Sequence, residues 1–129
     1  MTERPHRDQD NATRPVVELV GGAVAVRPVG EIDVATAPAL RRALTDALAL
    51  VGASGADRIV ADCSQVTFCD SSGLDALLGA RLDAVEADAA IHLANPAPQL
   101  RRLLQMTGVE PLFPREDDLP AGSPPPAGA

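Results

Sequence analysis

Residues Val66–Leu78 have the sequence V-T-F-C-D-S-S-G-L-D-A-L-L, an apolar run that ends in two serines and passes directly into a helical pattern. Four leucines then follow the spacing i, i+3, i+4 and i+8, which places them on one helical face: Leu74, Leu77, Leu78 and Leu82. Asp70–Ser72 has the residue types that cap a helix, and Ser72 with Asp75 has the spacing of a capping box. The pattern predicts a strand-to-helix corner, with hydroxyl groups at the positive end of the helix dipole.

The chain before this segment predicts a hairpin, a helix and a strand. Two β-branched runs, Val16–Val20 and Ala23–Val29, are separated by two glycines, which is typical of antiparallel strands joined by a tight turn. Thr36 is suited to the N-cap of the helix that follows, and Pro38 to its first turn. The helix reaches about Val51, and its apolar stripe comprises Leu40, Leu44, Leu48 and Val51. The run Arg58–Cys63 is short and mostly apolar, as in a central parallel strand.

After the serines, the patterns predict two more helices and two more strands. We expect helices from Ser72 to about Ala87 and at Ala97–Thr107, and strands at Ala89–Ala94 and Val109–Pro114. Strands that alternate with helices and are joined by parallel crossovers indicate an α/β domain. The predicted fold is therefore a mixed, mostly parallel sheet with an N-terminal antiparallel hairpin, and with helices packed against the sheet.

The length of 129 residues fits one domain with a single hydrophobic core. We place that domain at residues 16–116. Residues 1–15 are polar and carry charges of both signs without periodicity, so they are predicted to be a disordered tail. Residues 117–129 contain four prolines, which predicts a second disordered tail.

The charge and composition exclude several classes of partner. The net charge is −7 and the chain has no lysine, whereas nucleic acids and anionic membranes select for basic surfaces. No apolar run approaches the ~20 residues that span a bilayer. The first residues also lack the apolar segment of a secretory signal. We expect a cytoplasmic protein without a nucleic-acid or membrane partner.

The two cysteines do not predict a metal or redox site. A disulfide is disfavoured in a reducing cytosol, and two thiols without a matching His/Cys set do not form a zinc site. Cys63 is expected to pack as a small apolar residue, and Cys69 to be partly exposed. No basic group near Cys69 favours its thiolate. We therefore expect no metal and no cofactor.

Three separated motifs resemble the STAS domain family, specifically the bacterial anti-sigma-factor antagonists. They are G-E-I-D-V-A-T-A-P-A-L-R-R-A-L at Gly30–Leu44, D-C-S-Q-V-T-F-C-D-S-S-G-L-D-A-L-L at Asp62–Leu78, and L-R-R-L-L-Q-M-T-G-V-E-P-L-F-P at Leu100–Pro114. The resemblance covers Val16–Glu116 and implies the same alternation of strands and helices. It also implies a further helix after the last strand, which the proline-rich residues 117–129 do not provide.

The resemblance implies that Ser71 is a phosphorylation site, since the first serine of the family's D-S-S-G motif is the modified one. Ser72 beside it is predicted to be the structural cap. Asp33 either turns the chain or helps to cap the first helix, or, as the resemblance implies, it forms part of the surface that the kinase recognises. Asp70 is predicted to cap the helix, to orient Ser71, or both.

Gly73 lies at the predicted helix start, next to the two serines. We predict that a bulky residue at this position hinders the partner's approach to Ser71 more than it harms the fold, because a first-turn position tolerates side chains. The alternative is that Gly73 adopts a backbone conformation that other residues cannot. The predicted partner-binding residues are Asp33, Asp70, Ser72 and Gly73.

The sequence lacks the motifs of an enzyme. There is no G-x-S-x-G elbow around Ser71 and no glycine-rich phosphate loop. His6 lies in the predicted tail, and His92 is expected to be the outward-facing residue of a strand. The resemblance assigns catalysis to a partner, an anti-sigma factor with a histidine-kinase-like ATPase domain, and assigns the reversal to a serine phosphatase. The alternatives are a structural STAS subunit of a stress-sensing or lipid-transport assembly, and a STAS domain that binds a nucleotide or another ligand.

Overall fold

The computed structural model describes residues 15–116, which form seven strands, three helices and one 3₁₀ turn. The strands are β1 (Val16–Val20), β2 (Ala23–Arg27), β3 (Gly30–Ile32), β4 (Arg58–Asp62), β5 (Val66–Cys69), β6 (Ala90–Ala94) and β7 (Arg115–Glu116). The helices are α1 (Ala37–Ser54), α2 (Ser71–Glu86) and α3 (Pro98–Thr107), and the 3₁₀ turn is Glu110–Leu112. The predicted tails lie outside the described residues, apart from Pro15.

The main sheet has five strands in the order β1-β2-β4-β6-β7. Strands β1 and β2 are antiparallel and meet at Gly21, whose φ of 60° is the left-handed conformation that the tight turn requires. All the other neighbours in this sheet are parallel. The predicted α/β class is confirmed, together with the mostly parallel sheet and its N-terminal hairpin.

A second sheet of two strands carries the predicted serine corner. Strand β5 pairs in parallel with β3, so that Ile32 lies opposite Cys69. The register shifts between Gly30 and Glu31, where Gly30 has a φ of 86°. The predicted second strand reached Val29, and β3 was not predicted. In the structure β2 ends at Arg27, because Pro28 has no N–H with which to continue the ladder.

The core lies between the main sheet and helices α1 and α2. Val24, Ile59 and Ile91 are in register across β2, β4 and β6, and all three are buried. Helix α1 packs against β1, β2 and β4, while α2 packs against α1 and β6. The stripe predicted for α1 is confirmed, with Leu48 partly buried. The helix continues to Ser54, three residues beyond the predicted end, and Gly55 terminates it in the left-handed conformation.

Helix α2 does not bury all four leucines of the predicted face. Leu74 and Leu77 are buried, whereas Leu82 is 62% exposed. The buried face of α2 also contains small residues: Gly73, Ala76, Ala80 and Ala84. Since successive helical residues are about 100° apart, this face points almost opposite to Leu82. The prediction for Leu82 was wrong because it counted large apolar residues and ignored the small ones.

The predicted last strand at Val109–Pro114 was also wrong. The backbone forms local bonds instead, from Leu112 N–H to the Val109 carbonyl and from Phe113 N–H to the Glu110 carbonyl. Pro111 and Pro114 cannot donate to a strand ladder. Phe113 is only 2% exposed and anchors the segment in the core, and pairing with β6 begins only at Arg115.

His92 is the outward-facing residue between the buried Ile91 and Leu93, as predicted, and it takes part in a cluster of charged groups. It is half-buried, and its Nδ1 lies 2.9 Å from Oε1 of Glu116, which also pairs with Arg58. Strands β4, β6 and β7 each contribute one member of this cluster. The cluster therefore ties the short last strand to the main sheet.

Candidate functional site

The candidate site lies where the parallel strands β3 and β5 end. Ile32 and Cys69 are paired, and the N–H of Asp70 donates to the Ile32 carbonyl at 3.1 Å. The next residue on each chain segment is an aspartate, Asp33 or Asp70. Parallel strands bring their carboxyl ends to the same edge of a sheet, where α/β proteins commonly build their sites. The structure thus brings together Asp33 and Asp70, two of the predicted partner-binding residues.

Asp70 is the N-cap of α2. Its backbone is extended, and its carboxylate accepts the N–H of Ser72 at 2.8 Å and the N–H of Gly73 at 3.4 Å. The prediction that Ser72 caps the helix in a capping box with Asp75 was wrong. The helix begins at Ser71, one residue earlier than predicted, and a carboxylate at position 70 reaches the free amides of the first turn.

Ser71 is the first residue of α2 and is exposed. Within residues 15–116 its hydroxyl has no hydrogen-bond partner, and the carboxylate that caps the helix is that of Asp70. Ser72 is half-buried, so it is the less accessible of the two serines. An exposed and unbonded hydroxyl is a group that another enzyme can reach.

Asp33 organises the turn that precedes α1. Its Oδ1 accepts the N–H of Ala35 at 3.0 Å and the N–H of Thr36 at 3.2 Å. Its own N–H donates to Thr36 Oγ1 at 2.9 Å, and that hydroxyl donates to the Glu31 carbonyl at 2.9 Å. Thr36 is the N-cap by position, as predicted, but its side chain makes no capping bond to the helix. The turn-forming interpretation of Asp33 is therefore confirmed, and its contact with a partner stays a prediction.

Gly73 is buried and faces β3 and β5. A Cβ atom built on it would lie 2.5 Å from the Cys69 Sγ and 2.6 Å from the Ile32 Cγ2. The expectation that this first-turn position tolerates a side chain was wrong, because there is no room for one, and the effect on partner binding stays a prediction. The alternative, that Gly73 adopts a backbone conformation that other residues cannot, was wrong as well. Gly73 has a helical backbone, and glycine is required there because the neighbouring side chains pack so closely.

Both cysteines are buried, and the prediction that Cys69 is partly exposed was wrong. Burial raises the pKa of Cys63 to about 12, with smaller contributions from Cys69 and Asp62. Burial and the nearby Asp70 raise the pKa of Cys69 to about 11. Both thiols are neutral at physiological pH, so neither is activated as a nucleophile.

Gln99 contacts the site from α3, and no motif pointed to it. Its Oε1 accepts the N–H of Cys69 at 2.9 Å, and its Nε2 donates to the Cys69 carbonyl at 2.8 Å. A glutamine in the first turn of an amphipathic helix is normally assigned to solvent, and the contact spans 30 positions of sequence. Sequence periodicity carries no signal for such a pair.

An open groove of about 370 Å³ lies beside the serines, between the N-terminal turns of α1 and α2. Val34, in the turn before α1, is 76% exposed on its rim. Arg41 also lines the groove, and its Nη2 pairs with Oδ2 of Asp83 at 2.8 Å, which bridges the two helices. The lining residues are Val34, Ala37, Pro38, Arg41, Ser72, Asp75 and Ala76.

Within residues 15–116 no base contacts the Ser71 hydroxyl, and no three His, Cys, Asp or Glu side chains lie together as metal ligands. No helix in the described part of the chain is both long enough and apolar enough to cross a membrane.

Comparison with known proteins identifies the family to which the chain belongs. The STAS domain family matches residues 14–120. A STAS-domain containing protein of Pseudomonas aeruginosa is 41% identical over 56 residues, which are 43% of this chain. That match covers 55% of the relative, so the chain spans about half of its length.

Solved structures extend the comparison to most of the chain. An anti-sigma factor antagonist from Mycobacterium paratuberculosis is 32% identical with a TM-score of 0.66, over 80% of this chain and 84% of that one. The Bacillus cell fate determinant SpoIIAA in its phosphorylated form is 26% identical with a TM-score of 0.59, over 79% and 90%. Its unphosphorylated form, an anti-sigma factor antagonist, has 24% identity and a TM-score of 0.64, over 79% and 87%.

Proposed function

Because the chain belongs to the STAS domain family, we propose that it acts as an anti-sigma-factor antagonist controlled by phosphorylation of Ser71. In the unmodified state it binds an anti-sigma factor that carries a histidine-kinase-like ATPase domain, and this binding frees a sigma factor for transcription. The same partner phosphorylates Ser71 and thereby ends the complex. A serine phosphatase restores the unmodified state. In this scheme the chain is a substrate and a binding partner, and catalysis belongs to the other proteins.

The observation that carries the proposal is the exposed hydroxyl of Ser71 at the first position of α2, which makes no hydrogen bond to any of residues 15–116. The neighbouring cap is Asp70, so modification of Ser71 removes no hydrogen bond from the helix. A phosphate can therefore be attached without unfolding the site.

The chemical step is the transfer of the γ-phosphoryl group of ATP. A new bond joins the γ-phosphorus to Oγ of Ser71 while the bond from that phosphorus to the bridging oxygen of ADP breaks. ADP leaves with the electron pair, and the serine proton passes through the kinase to solvent. In the reverse direction the phosphatase uses water, and the products are the free serine and inorganic phosphate.

Phosphorylation affects the complex more than the fold because of where the charge lies. A phosphate adds about −1.5 to −2 charges at neutral pH. The N–H groups of Ser72 and Gly73 are already bound by Asp70, so the phosphate of Ser71 is directed to solvent next to a carboxylate. Solvent screens that repulsion in the free protein. At an interface the same charges are desolvated, and the complex is weakened.

The groove between α1 and α2 supports a docking surface beside this switch. Val34 and Pro38 are exposed apolar residues that line it, and so does Ser72, the residue next to Ser71. The Mycobacterium paratuberculosis relative is an anti-sigma factor antagonist, and SpoIIAA occurs in phosphorylated and unphosphorylated forms. These likenesses support the assignment of the same type of switch to this chain.

The test is phosphorylation by the anti-sigma-factor kinase encoded in the same genome, with ATP and Mg²⁺, followed by mass spectrometry of the proteolysed product. We expect one phosphate on the peptide that contains Ser71, and none on a folded Ser71→Ala variant. Absence of phosphate from the unmodified protein would favour a structural subunit. Binding of labelled nucleotide by the isolated chain would favour the ligand-binding alternative.

A further inference from the structure

Gln99 forms a complete pair of hydrogen bonds with the backbone of Cys69, two residues before Ser71. The side-chain oxygen accepts the Cys69 N–H at 2.9 Å, and the side-chain nitrogen donates to the Cys69 carbonyl at 2.8 Å. On the other side of the strand, the N–H of Asp70 donates to the Ile32 carbonyl at 3.1 Å. Three hydrogen bonds thus fix the backbone that leads into Ser71.

The side chain of Gln99 forms the hydrogen bonds with β5 that a neighbouring strand would form. Among residues 15–116, β5 pairs with β3 alone, so no strand binds the backbone N–H and carbonyl of Cys69 on its other edge. A primary amide has one acceptor and one donor, as a peptide group has, and Gln99 therefore satisfies both groups of one residue. Its helix is held in place by Leu100 and Leu104, which are each 1% exposed.

We propose that Gln99 is a positioning residue for the phosphorylation of Ser71, an inference that rests on the proposed function. By fixing Cys69, it fixes the start of α2 and the direction in which the Ser71 hydroxyl is presented to the kinase. The γ-phosphoryl group passes from ATP to Oγ of Ser71 and ADP leaves, while Gln99 remains chemically unchanged. Its contribution is to keep the acceptor hydroxyl in the orientation that in-line transfer requires.

The contact is local, so its loss should open the site without unfolding the domain. The core around β2, β4 and β6 does not include the Gln99 side chain, which is only half-buried. Without the side-chain amide of Gln99, the Cys69 N–H loses its acceptor and the Cys69 carbonyl loses its donor. The segment Cys69–Ser71 then becomes a region of low local stability. Regions of this kind exchange their amide hydrogens faster than the core does.

The test compares two substitutions at the site with a matched control on the same helix. Gln99→Met keeps the length of the side chain and removes both hydrogen bonds, while Gln99→Glu keeps an acceptor for the Cys69 N–H. Gln105→Met makes the same chemical change on α3 at an exposed position outside the contact. Thermal unfolding establishes that each variant is folded.

The first readout is amide hydrogen exchange measured by NMR in the absence of any partner. We expect exchange at Cys69 and Asp70 to accelerate about tenfold or more in Gln99→Met, less in Gln99→Glu, and not in Gln105→Met. Amides of β4 should keep their wild-type rates in all three variants. Unchanged exchange at Cys69 in a folded Gln99→Met variant would overturn the inference.

The second readout is steady-state phosphorylation by the anti-sigma-factor kinase of the same genome. We expect a several-fold lower kcat in Gln99→Met with an unchanged KM, because the docking surface is intact and only the orientation of the hydroxyl is affected. Equal kcat in wild type and Gln99→Met would refute the positioning role and leave the proposed function standing. If the wild-type protein takes up no phosphate, the proposed function itself fails, and this inference fails with it.

Discussion

The carboxylate of Asp70 accepts the backbone N–H of Ser72 at 2.8 Å, across the intervening residue Ser71. Asp70 therefore caps α2, while Ser71 presents the exposed hydroxyl. Within residues 15–116 that hydroxyl makes no hydrogen bond, so its modification breaks none. Because the cap and the exposed hydroxyl belong to different residues, a group attached to Oγ of Ser71 would leave the cap of α2 intact.

The first prediction concerns the cap. Asp70→Ala should lower the free energy of unfolding by about 0.5–2 kcal/mol, because two amides of the first turn lose their acceptor. Ser72→Ala should cost much less, since Ser72 makes no capping bond. Urea unfolding of both variants measures the difference. A larger loss in Ser72→Ala than in Asp70→Ala would contradict the assignment of the cap.

The second prediction concerns the close packing of Gly73. Gly73→Ala should destabilise the protein by about 1–3 kcal/mol, because the new Cβ would lie 2.5 Å from the Cys69 Sγ. The gain in helix propensity is at most about 1 kcal/mol and does not compensate for this contact. Gly73→Val should be more harmful still.

Gly52 is the matched control for this substitution. It lies in α1, and a Cβ built on it would have nothing within 4 Å. Gly52→Ala should therefore stabilise the protein by about 0.4–1 kcal/mol, since only the propensity term operates. If both alanine variants changed the free energy of unfolding in the same direction, the packing explanation would be wrong.

Local patterns predicted the main elements of the fold, whereas contacts distant in sequence determined the details of the site. The hairpin and the stripe on α1 followed from turn residues and hydrophobic period, which are properties of short segments. The buried face of α2 depends on Gly73 and Ala80, whose size matters only once a neighbouring strand or helix is known. The Gln99 contact with Cys69 joins residues 30 positions apart, and no periodic pattern encodes it.

The third prediction concerns pH. The hydrogen bond from Arg58 lowers the pKa of Glu116, and His92 lowers it further, while burial opposes both. A carboxyl whose pKa is lower in the folded state stabilises the protein above its unfolded value of 4.5, and this contribution is lost as the pH falls through the lower, folded value. Glu116→Gln should therefore be destabilising at pH 7, with a smaller effect at pH 3.

Urea unfolding at the two pH values measures this dependence. Glu86→Gln is the control, since Glu86 is exposed and has no ion-pair partner among residues 15–116. It should show little change at either pH. An equal loss of stability at pH 7 and pH 3 in Glu116→Gln would mean that the charge of Glu116 is not what ties β7 to the sheet.

The fourth prediction concerns the thiols. Cys63 and Cys69 are 1% and 0% exposed, and burial raises their pKa values to about 12 and about 11. In the native protein neither should react with a disulfide reagent such as Ellman's reagent at pH 8, because the reaction requires an accessible thiolate. Both should react after unfolding in urea. Rapid native labelling of Cys69 would show that the site opens readily.

The last prediction is that Ser71 and not Ser72 is the switch. Ser71→Ala should fold, bind the anti-sigma factor and remain bound when ATP and Mg²⁺ are added, because the hydroxyl that accepts the phosphate is absent. Ser71→Asp should fold but bind more weakly, by less than phosphorylation achieves, since a carboxylate has less charge and fewer acceptor oxygens than a phosphate. Ser72→Ala should bind and be released by ATP like the wild type. Affinity measurements with and without ATP test all three variants, and release of Ser71→Ala by ATP together with retention of Ser72→Ala would reverse the assignment.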